Sequence, residues 1–206
     1  MRKRVMCAQM ITLCLLLTAC GGGSAGRGEE ELALDIRTEY LGMTSCTAVV
    51  DVTADYGQRV YEFTLELNHQ KAEETVLTVT APEDIAGVTA RIAGDTATLE
   101  YDGVSLETGA LDTTGLSPVS AVPVLLNYVK TGFIAEVNRE ELGETACLRV
   151  SCRDPELQPG VGTEGTLWFD LETHALVQGE IAVDGTRVIL CEFTQFSMEP
   201  SIQQEG

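Results

Sequence analysis

The sequence is short of basic residues and of aromatic side chains. Lysine and arginine number 13 against 32 aspartates and glutamates, which gives the 206-residue chain a formal net charge of −19. Such a charge repels phosphate backbones and anionic lipid headgroups, so the composition excludes nucleic-acid binding and a basic membrane-binding patch. Aromatic residues make up only 5% of the chain. Small apolar residues must therefore supply most of the core, and small linings favour a cavity or groove.

The sequence also lacks the common catalytic motifs. It contains no GxSxG elbow, no HExxH pair and no phosphate-binding loop. Its two histidines, His69 and His174, both lie next to predicted turns, where we expect them to be solvated. No cysteine–histidine spacing is typical of a zinc site. We therefore expect a protein that is not an enzyme and that needs neither a metal nor a cofactor.

The clearest motif lies at the N-terminus. Three basic residues precede the apolar run 5–17, which is too short to span a bilayer comfortably and is typical of a secretory signal. The run ends in Leu17-Thr18-Ala19-Cys20, which resembles a bacterial lipobox. We interpret residues 1–19 as a signal peptide and Cys20 as the first mature residue. An ordinary secretory signal with an incidental cysteine is the alternative.

A lipobox implies a specific anchor. The Cys20 thiol would take a diacylglycerol, and the new amino terminus would be acylated, for instance with palmitate. The glycines at 21–23 and Ser24 suit a flexible tether over residues 20–29. The predicted location is the cell membrane, with the protein facing the extracytoplasmic side and held there by the Cys20 lipid.

Four of the seven cysteines would belong to the mature domain, and they allow three pairings. Cys147 and Cys152 lie on opposite faces of one predicted strand, about 16 Å apart at roughly 3.3 Å per residue, so they cannot pair with each other. The sequence is compatible with a Cys46–Cys191 disulfide. It is also compatible with four buried thiols that act as small apolar residues.

Most of the chain alternates between apolar and polar residues. After a short helix predicted over residues 29–40, apolar residues recur at every second position, as in Tyr61, Phe63, Leu65 and Leu67. About ten such runs follow one another up to residue 193. Hairpin signals at 94–95, 102–103 and 184–185 join several of them.

One gap between the strands is helical. In residues 117–132, either Ser117 or Ser120 can cap a helix, with Pro118 or Pro123 respectively in its first turn. Gly132 is expected to end this helix in a left-handed conformation.

The strands far outnumber the helices that could cover them. A flat sheet of this size would leave a large apolar face in water. We therefore predict a mainly β (α+β) fold: a strongly curved antiparallel sheet that forms an open half-barrel, with one short N-terminal helix and one central covering helix. The domain is expected over residues 30–196, followed by a polar tail at 197–206.

The order of these elements resembles that of the LolA-like superfamily of lipoprotein-localisation carriers and lipid-binding lipoproteins. A lipobox, a short helix, meandering strands, the Ser-Pro-x-Ser-Ala-x-Pro helix and the closing segment 167–196 carry the resemblance. The closing segment has His174-Ala175-Leu176 where members usually have Gly-Leu-Pro. The chain is also similar to small clostridial envelope lipoproteins of this fold, one of which is the partner of a cell-wall amidase in spore germination.

The resemblance implies an apolar concave face that holds acyl chains, and it brings no catalytic residues. The predicted function is a membrane-anchored lipoprotein that binds an acyl chain, a lipid or a lipidated partner in a half-barrel cavity. The predicted lining is Tyr61, Phe63, Leu65, Leu67, Leu99, Tyr101, Leu125, Leu126, Val129, Phe133, Phe169 and Phe193.

Two alternatives stay open. The same residues can form a dry core, and a cavity under about 300 Å³ would count against a carrier. The protein can also be an envelope scaffold that binds a protein partner through its convex face or a sheet edge, for example in sporulation, germination or cell-wall remodelling.

Overall fold

Eleven antiparallel strands form one curved, open sheet. The computed structural model describes residues 25–71 and 74–200, so the predicted signal peptide, Cys20 and residues 201–206 lie outside the described part. The helices are α1 (Ala25–Gly42), α2 (Pro118–Thr131) and a short 3₁₀ helix (Glu83–Ile85). The strands are β1 (Met43–Asp55), β2 (Val60–Gln70), β3 (Thr75–Ala81), β4 (Thr89–Ala93), β5 (Thr96–Tyr101), β6 (Val104–Ala110), β7 (Ile134–Leu142), β8 (Thr145–Cys152), β9 (Thr163–Asp170), β10 (Leu176–Val183) and β11 (Thr186–Pro200).

The sheet consists of two meanders that meet in its middle. The strand order is β6-β5-β4-β3-β2-β1-β11-β10-β9-β8-β7. The β1–β11 pair therefore forms a central seam between the two meanders, and α2 connects them along the chain. Both helices pack on the inner, concave face, where most of the buried side chains lie. The predicted open half-barrel with an N-terminal and a central helix is confirmed.

The domain is longer at both ends than predicted. Helix α1 begins at Ala25, within the predicted tether, and β11 extends to Pro200, within the predicted polar tail. On α1 the inward positions Ala33, Ile36 and Tyr40 are buried, which is the spacing of one helical face. Neither α-helix in the described ranges is long and apolar enough to cross a membrane.

The hairpin signals in the sequence are confirmed. Asp102-Gly103 and Asp184-Gly185 join β5 to β6 and β10 to β11, with both residues of each pair at positive φ. Two central residues with positive φ are the mark of the type I′ turn, whose twist matches that of a hairpin.

Helix α2 begins as one of the two sequence alternatives predicts. Ser117 is the N-cap and Pro118 the first helical residue. The Ser117 and Ser120 hydroxyls each accept from the other's backbone N–H, at 3.2 Å, in a reciprocal capping box. The Asp112 carboxylate accepts from the backbone N–H of Thr114 at 3.0 Å. These hydrogen bonds fix the loop that positions α2 over the sheet.

The end of α2 differs from the prediction. Gly132 has φ −60°, so it is not a left-handed stop. A Cβ at this position would lie 2.7 Å from the Tyr128 carbonyl oxygen and 3.1 Å from the Cys152 Cβ. Glycine is therefore favoured here by these close contacts, the tighter one with α2 itself and the other with β8, and not by a left-handed backbone conformation.

Arg37 of α1 caps the end of α2. Its Nε donates to the Val129 carbonyl at 2.9 Å and its Nη2 to the Gly132 carbonyl at 2.6 Å. A cation at a helix C-terminus satisfies free carbonyls and complements the helix dipole. This single side chain therefore joins the two helices of the concave face.

Replacing Arg37 tests this connection. We expect Arg37→Ala to lower the free energy of unfolding by about 2–3 kcal/mol, because it removes two charge-assisted hydrogen bonds. Arg37→Lys should lose less, since it keeps the charge. The matched control is Arg139→Ala, which breaks a partly exposed ion pair with Glu29 at 3.6 Å and should cost under about 1 kcal/mol. Equal effects of the two alanine variants in urea denaturation would contradict the capping role.

Candidate functional site

An apolar pocket lies on the concave face beside the first turn of α2. Its volume is about 190 Å³. All of its lining residues are apolar: Phe63, Leu65, Leu77, Val79, Ile85, Val88, Ala90, Leu99, Pro118 and Val119. They come from β2 to β5, from the 3₁₀ helix, and from the start of α2. The pocket marks the point where α2 stops covering the sheet.

The concave face is thus divided into a filled part and an open part. Under α2, the sheet is closed by tight packing onto glycines. A Cβ at Gly179 would lie 2.7 Å from Leu125 Cδ1, and a Cβ at Gly165 would lie 2.6 Å from Tyr128 Cδ2. These contacts leave no room for a ligand between α2 and strands β9 and β10. The open part extends from the pocket toward β6.

The open part ends in exposed apolar side chains. Leu99 in the pocket pairs with Leu106 of β6, and Tyr101 pairs with Val104. Directly opposite residues of an antiparallel pair share a face, so Leu106 continues the apolar lining toward the edge of the sheet. Val104 and Leu106 are 70% and 63% exposed. The pocket and these side chains together form one apolar strip across β2–β6.

An aromatic stack stands at one end of the pocket. Tyr61 stacks on the pocket residue Phe63 with ring centroids 6.4 Å apart, and Tyr56 contacts Tyr61 edge-on at 6.0 Å. The Tyr56 hydroxyl donates to the Leu116 carbonyl at 2.6 Å, just before α2. The β1–β2 turn is thereby tied to the loop that positions the helix.

The structure places the predicted lining residues in three groups. Phe63, Leu65 and Leu99 line the pocket. Six others belong to the filled core: Leu67, Leu125, Leu126, Val129, Phe169 and Phe193. The remaining three, Tyr61, Tyr101 and Phe133, are exposed. Only three of the twelve predicted lining residues therefore lie in the pocket, because α2 fills most of the concave face.

Phe133 faces outward because of a bulge. The sequence predicts Phe133, Ala135 and Val137 on one face. The pairing of β7 with β8 skips Ala135, so that Ile134 is opposite Cys152 and Val137 is opposite Val150. Ile134, and not Phe133, thus joins the core. A bulge moves every preceding residue to the other face.

Several lining residues were absent from the predicted set. Four of them lie on β3, on β4 or between these strands: Leu77, Val79, Val88 and Ala90. The alternation of apolar residues predicts which face of the sheet they share, but it does not predict that this part of the face is an open pocket. Pro118 and Val119 line it because the Ser117 cap sets where α2 begins. Their position depends on long-range packing that a local pattern does not contain.

The described cysteines are all buried and free. The Cys46–Cys191 disulfide is not formed, because Cys46 pairs with Met198 whereas Cys191 pairs with Val52, six residues further along β1. Burial raises the pKa of the Cys46 and Cys152 thiols to about 11 and also raises the pKa of Cys191. These thiols act as small apolar core residues, as one of the two sequence alternatives states.

The histidines differ from each other. His174 lies in the β9–β10 turn, as predicted, and its Nδ1 lies 2.9 Å from the Glu39 carboxylate. His69 is half-buried within β2 and bonds Thr75 through Nδ1 at 2.7 Å, so it is not a solvated turn residue. Burial lowers the pKa of His69.

Two larger grooves lie on the convex face, and about half of each lining is polar. Each has a volume of about 460 Å³. One is lined in part by Asp51, Glu62 and Glu192, and the other includes Glu66 and Asn68. Their carboxylates and amides suit neither an acyl chain nor an anion. The apolar pocket on the concave face is the better candidate site.

The open, curved sheet with two helices on its concave face defines a half-barrel architecture. Among solved structures, the chain is similar to an uncharacterized conserved protein from Thermus thermophilus, with a TM-score of 0.51 and 10% identity over 83% of this chain and 88% of that one. At this identity the likeness shows the fold alone. The half-barrel architecture predicted from the sequence is confirmed at that level.

Two further similar structures carry more specific names. One is a LolA superfamily protein from Nitrosomonas europaea, with a TM-score of 0.46 and 9% identity over 83% of this chain and 93% of that one. The other is the Mycobacterium tuberculosis lipoprotein LppX, with a TM-score of 0.43 and 19% identity over 82% and 93%. At these scores neither adds to what the first shows. No protein-family model and no curated protein matches the sequence.

Proposed function

We propose that this protein is a membrane-anchored lipoprotein that binds the end of an acyl chain in the apolar pocket. The observation that carries the proposal is the pocket itself, a concavity of about 190 Å³ whose ten lining residues are all apolar and which opens onto more apolar surface. The Cys20 lipid would hold the domain at the extracytoplasmic side of the cell membrane. The protein acts by binding and not by catalysis.

The size of the pocket limits what it can enclose. Ligand pockets typically measure about 300–1,000 Å³, so a cavity of about 190 Å³ does not enclose a whole lipid. The volume counts against a carrier that buries its cargo completely. It suits one chain end in the pocket, with the rest of the chain lying along Leu106 and Val104 on the apolar strip. A free lipid and a lipidated partner protein both supply such a chain.

The pocket can be tested with a matched pair of substitutions on β3. Val79 lines the pocket, whereas Val76 on the same strand lies on the outer face, and both are half-buried. We expect the full chain to bind a dansyl-labelled fatty acid. Val79→Asn should weaken this binding about tenfold, because an amide buried against an apolar chain loses hydrogen bonds to water. Val76→Asn should leave the affinity unchanged.

Fluorescence titration measures both affinities, and circular dichroism checks that each variant is folded. A wild-type chain that does not bind the fatty acid would contradict the proposal. Equal weakening by both substitutions would place the fatty acid outside the pocket and contradict it as well.

A further inference from the structure

The two edge strands of the sheet are protected very differently. Strand β7 carries the charged residues Glu136, Arg139, Glu140 and Glu141, and helix α1 packs against it. Charged side chains and covering helices are the usual means by which proteins prevent an edge from pairing with another strand. Strand β6 is covered by no helix of residues 25–71 and 74–200, and it carries less charge than β7. All seven of its residues are exposed, and Glu107 is its only charged residue.

The backbone of β6 is oriented for pairing. The type I′ turn at Asp102-Gly103 makes Tyr101 and Val104 the closing pair of the hairpin. In a two-residue hairpin this closing pair is hydrogen-bonded, and hydrogen-bonded pairs alternate along the ladder. The backbone groups of Val104 and Leu106 therefore point to β5. Those of Ser105 and Glu107 point away from the sheet, where an additional strand would meet them.

The charge around this edge has one sign. Residues 92–129 contain no lysine or arginine, and they include Asp95, Glu100, Asp102, Glu107 and Asp112. The Arg91 side chain neutralises Glu100 at 2.9 Å. The other carboxylates lie in the turns and loop around β6 or on β6 itself. A second copy of this chain would bring the same negative charge to the edge, so self-pairing is disfavoured.

We propose that β6 is a docking edge that takes an extended, basic segment of a partner protein as a twelfth strand of the sheet. The Ser105 and Glu107 backbone groups would form the hydrogen bonds of the new pair. Alternate apolar residues of the segment would continue the strip formed by Val104 and Leu106, and its lysines or arginines would face Glu107 and the neighbouring carboxylates. Strand addition of this kind takes its affinity from the main chain and its specificity from the side chains.

This inference does not depend on the acyl pocket. It depends on the outward backbone groups of Ser105 and Glu107, whereas the proposed function depends on the pocket, to which β6 contributes no residue. Only the Val104 and Leu106 side chains belong to both proposals. Each can fail without the other.

The probe is a synthetic heptapeptide of alternating lysine and valine. The matched control is the same peptide with a proline inserted at its centre. Because proline has no backbone N–H, the control peptide cannot pair as a continuous strand. With the full chain, we expect the alternating peptide to slow amide hydrogen exchange at Ser105 and Glu107 at least tenfold. The proline-containing peptide should give less than a twofold change, although its charge is the same.

Two variants of the protein test the backbone and the charge separately. Ser105→Pro removes an edge-facing N–H without removing a bond to β5, so the fold should survive and peptide affinity should fall at least tenfold. Glu107→Lys leaves the backbone hydrogen bonds in place. It should weaken peptide binding several-fold, because it puts a positive charge where the lysines of the peptide would lie. Fatty-acid binding should be unchanged in both. Binding that is equal for the two peptides, or protection that falls on amides outside β6, would overturn the proposal.

Discussion

Gly179→Val is expected to expel helix α2 from the half-barrel. Gly179 lies on β10 directly beneath Leu125, which is completely buried. The first added carbon atom alone would lie 2.7 Å from Leu125 Cδ1 and 3.0 Å from Cδ2. Leu125 is buried among other core residues, so a shift of its side chain disturbs their packing. We expect Gly179→Ala to lower the free energy of unfolding by about 1–3 kcal/mol and the valine variant to lower it further.

A double-mutant cycle distinguishes this contact from a general loss of stability. Leu125→Ala alone should cost about 2–5 kcal/mol, because it leaves a cavity beneath α2. In the Gly179→Ala background the same change should cost less, since it also removes the clash. We expect a coupling energy of about 0.5–3 kcal/mol from urea denaturation of the four proteins. Strictly additive effects would contradict direct packing of Leu125 on Gly179.

Cys20→Ser is expected to release the protein from the membrane. If the Cys20 thiol takes the lipid, a hydroxyl at this position cannot replace it. We therefore expect the wild-type chain in the membrane fraction of the producing bacterium and the serine variant in the soluble or secreted fraction, a change in nearly all of the protein.

The matched control is Cys14→Ser, which changes a cysteine six residues earlier in the same apolar run. It should leave the protein in the membrane fraction. Mass spectrometry of the N-terminal peptide gives a second readout, since diacylglycerol adds a large mass to a peptide that begins at Cys20. An unmodified mature N-terminus, or membrane retention of Cys20→Ser, would contradict the predicted anchor.

The regular elements were predictable from the sequence because they follow local rules. The alternation from Tyr61 to Leu67 indicates the inner face of β2, and the cap signals limit the start of α2 to Ser117 or Ser120, of which the structure has Ser117. The curvature was also predictable, since the apolar faces exceed what two helices can cover. These features depend on the period of the chain and on the total apolar surface.

The predictions that failed do so at irregularities of single residues. Because the pairing of β7 with β8 skips Ala135, Phe133 lies on the outer and not the inner face of the sheet. In the central seam, Gln195 has φ +52° and lies where the β1–β11 register shifts. The partly buried Phe196 beside it contacts Phe193 and stacks on Tyr40. A polar residue at positive φ is uncommon, and nothing in the local sequence marks it. The extent of the pocket was not predictable either, because it is set by how closely α2 approaches Gly179 and Gly165.

The central β1–β11 pair joins the first strand of the chain to the last one. The two halves of the sheet therefore cannot be joined until the C-terminal strand is available. Thr47 pairs with Ser197 and Ala54 with Ile189, contacts that span more than half of the sequence. A ribosome or translocation channel that still holds the C-terminal residues leaves the first meander with β1 unpaired on one side. Such long-range pairing is slow and exposes an edge until it forms. The fifteen residues of β11 therefore determine when the newly synthesised chain becomes a stable fold, and shortening them should leave two half-sheets open to proteolysis.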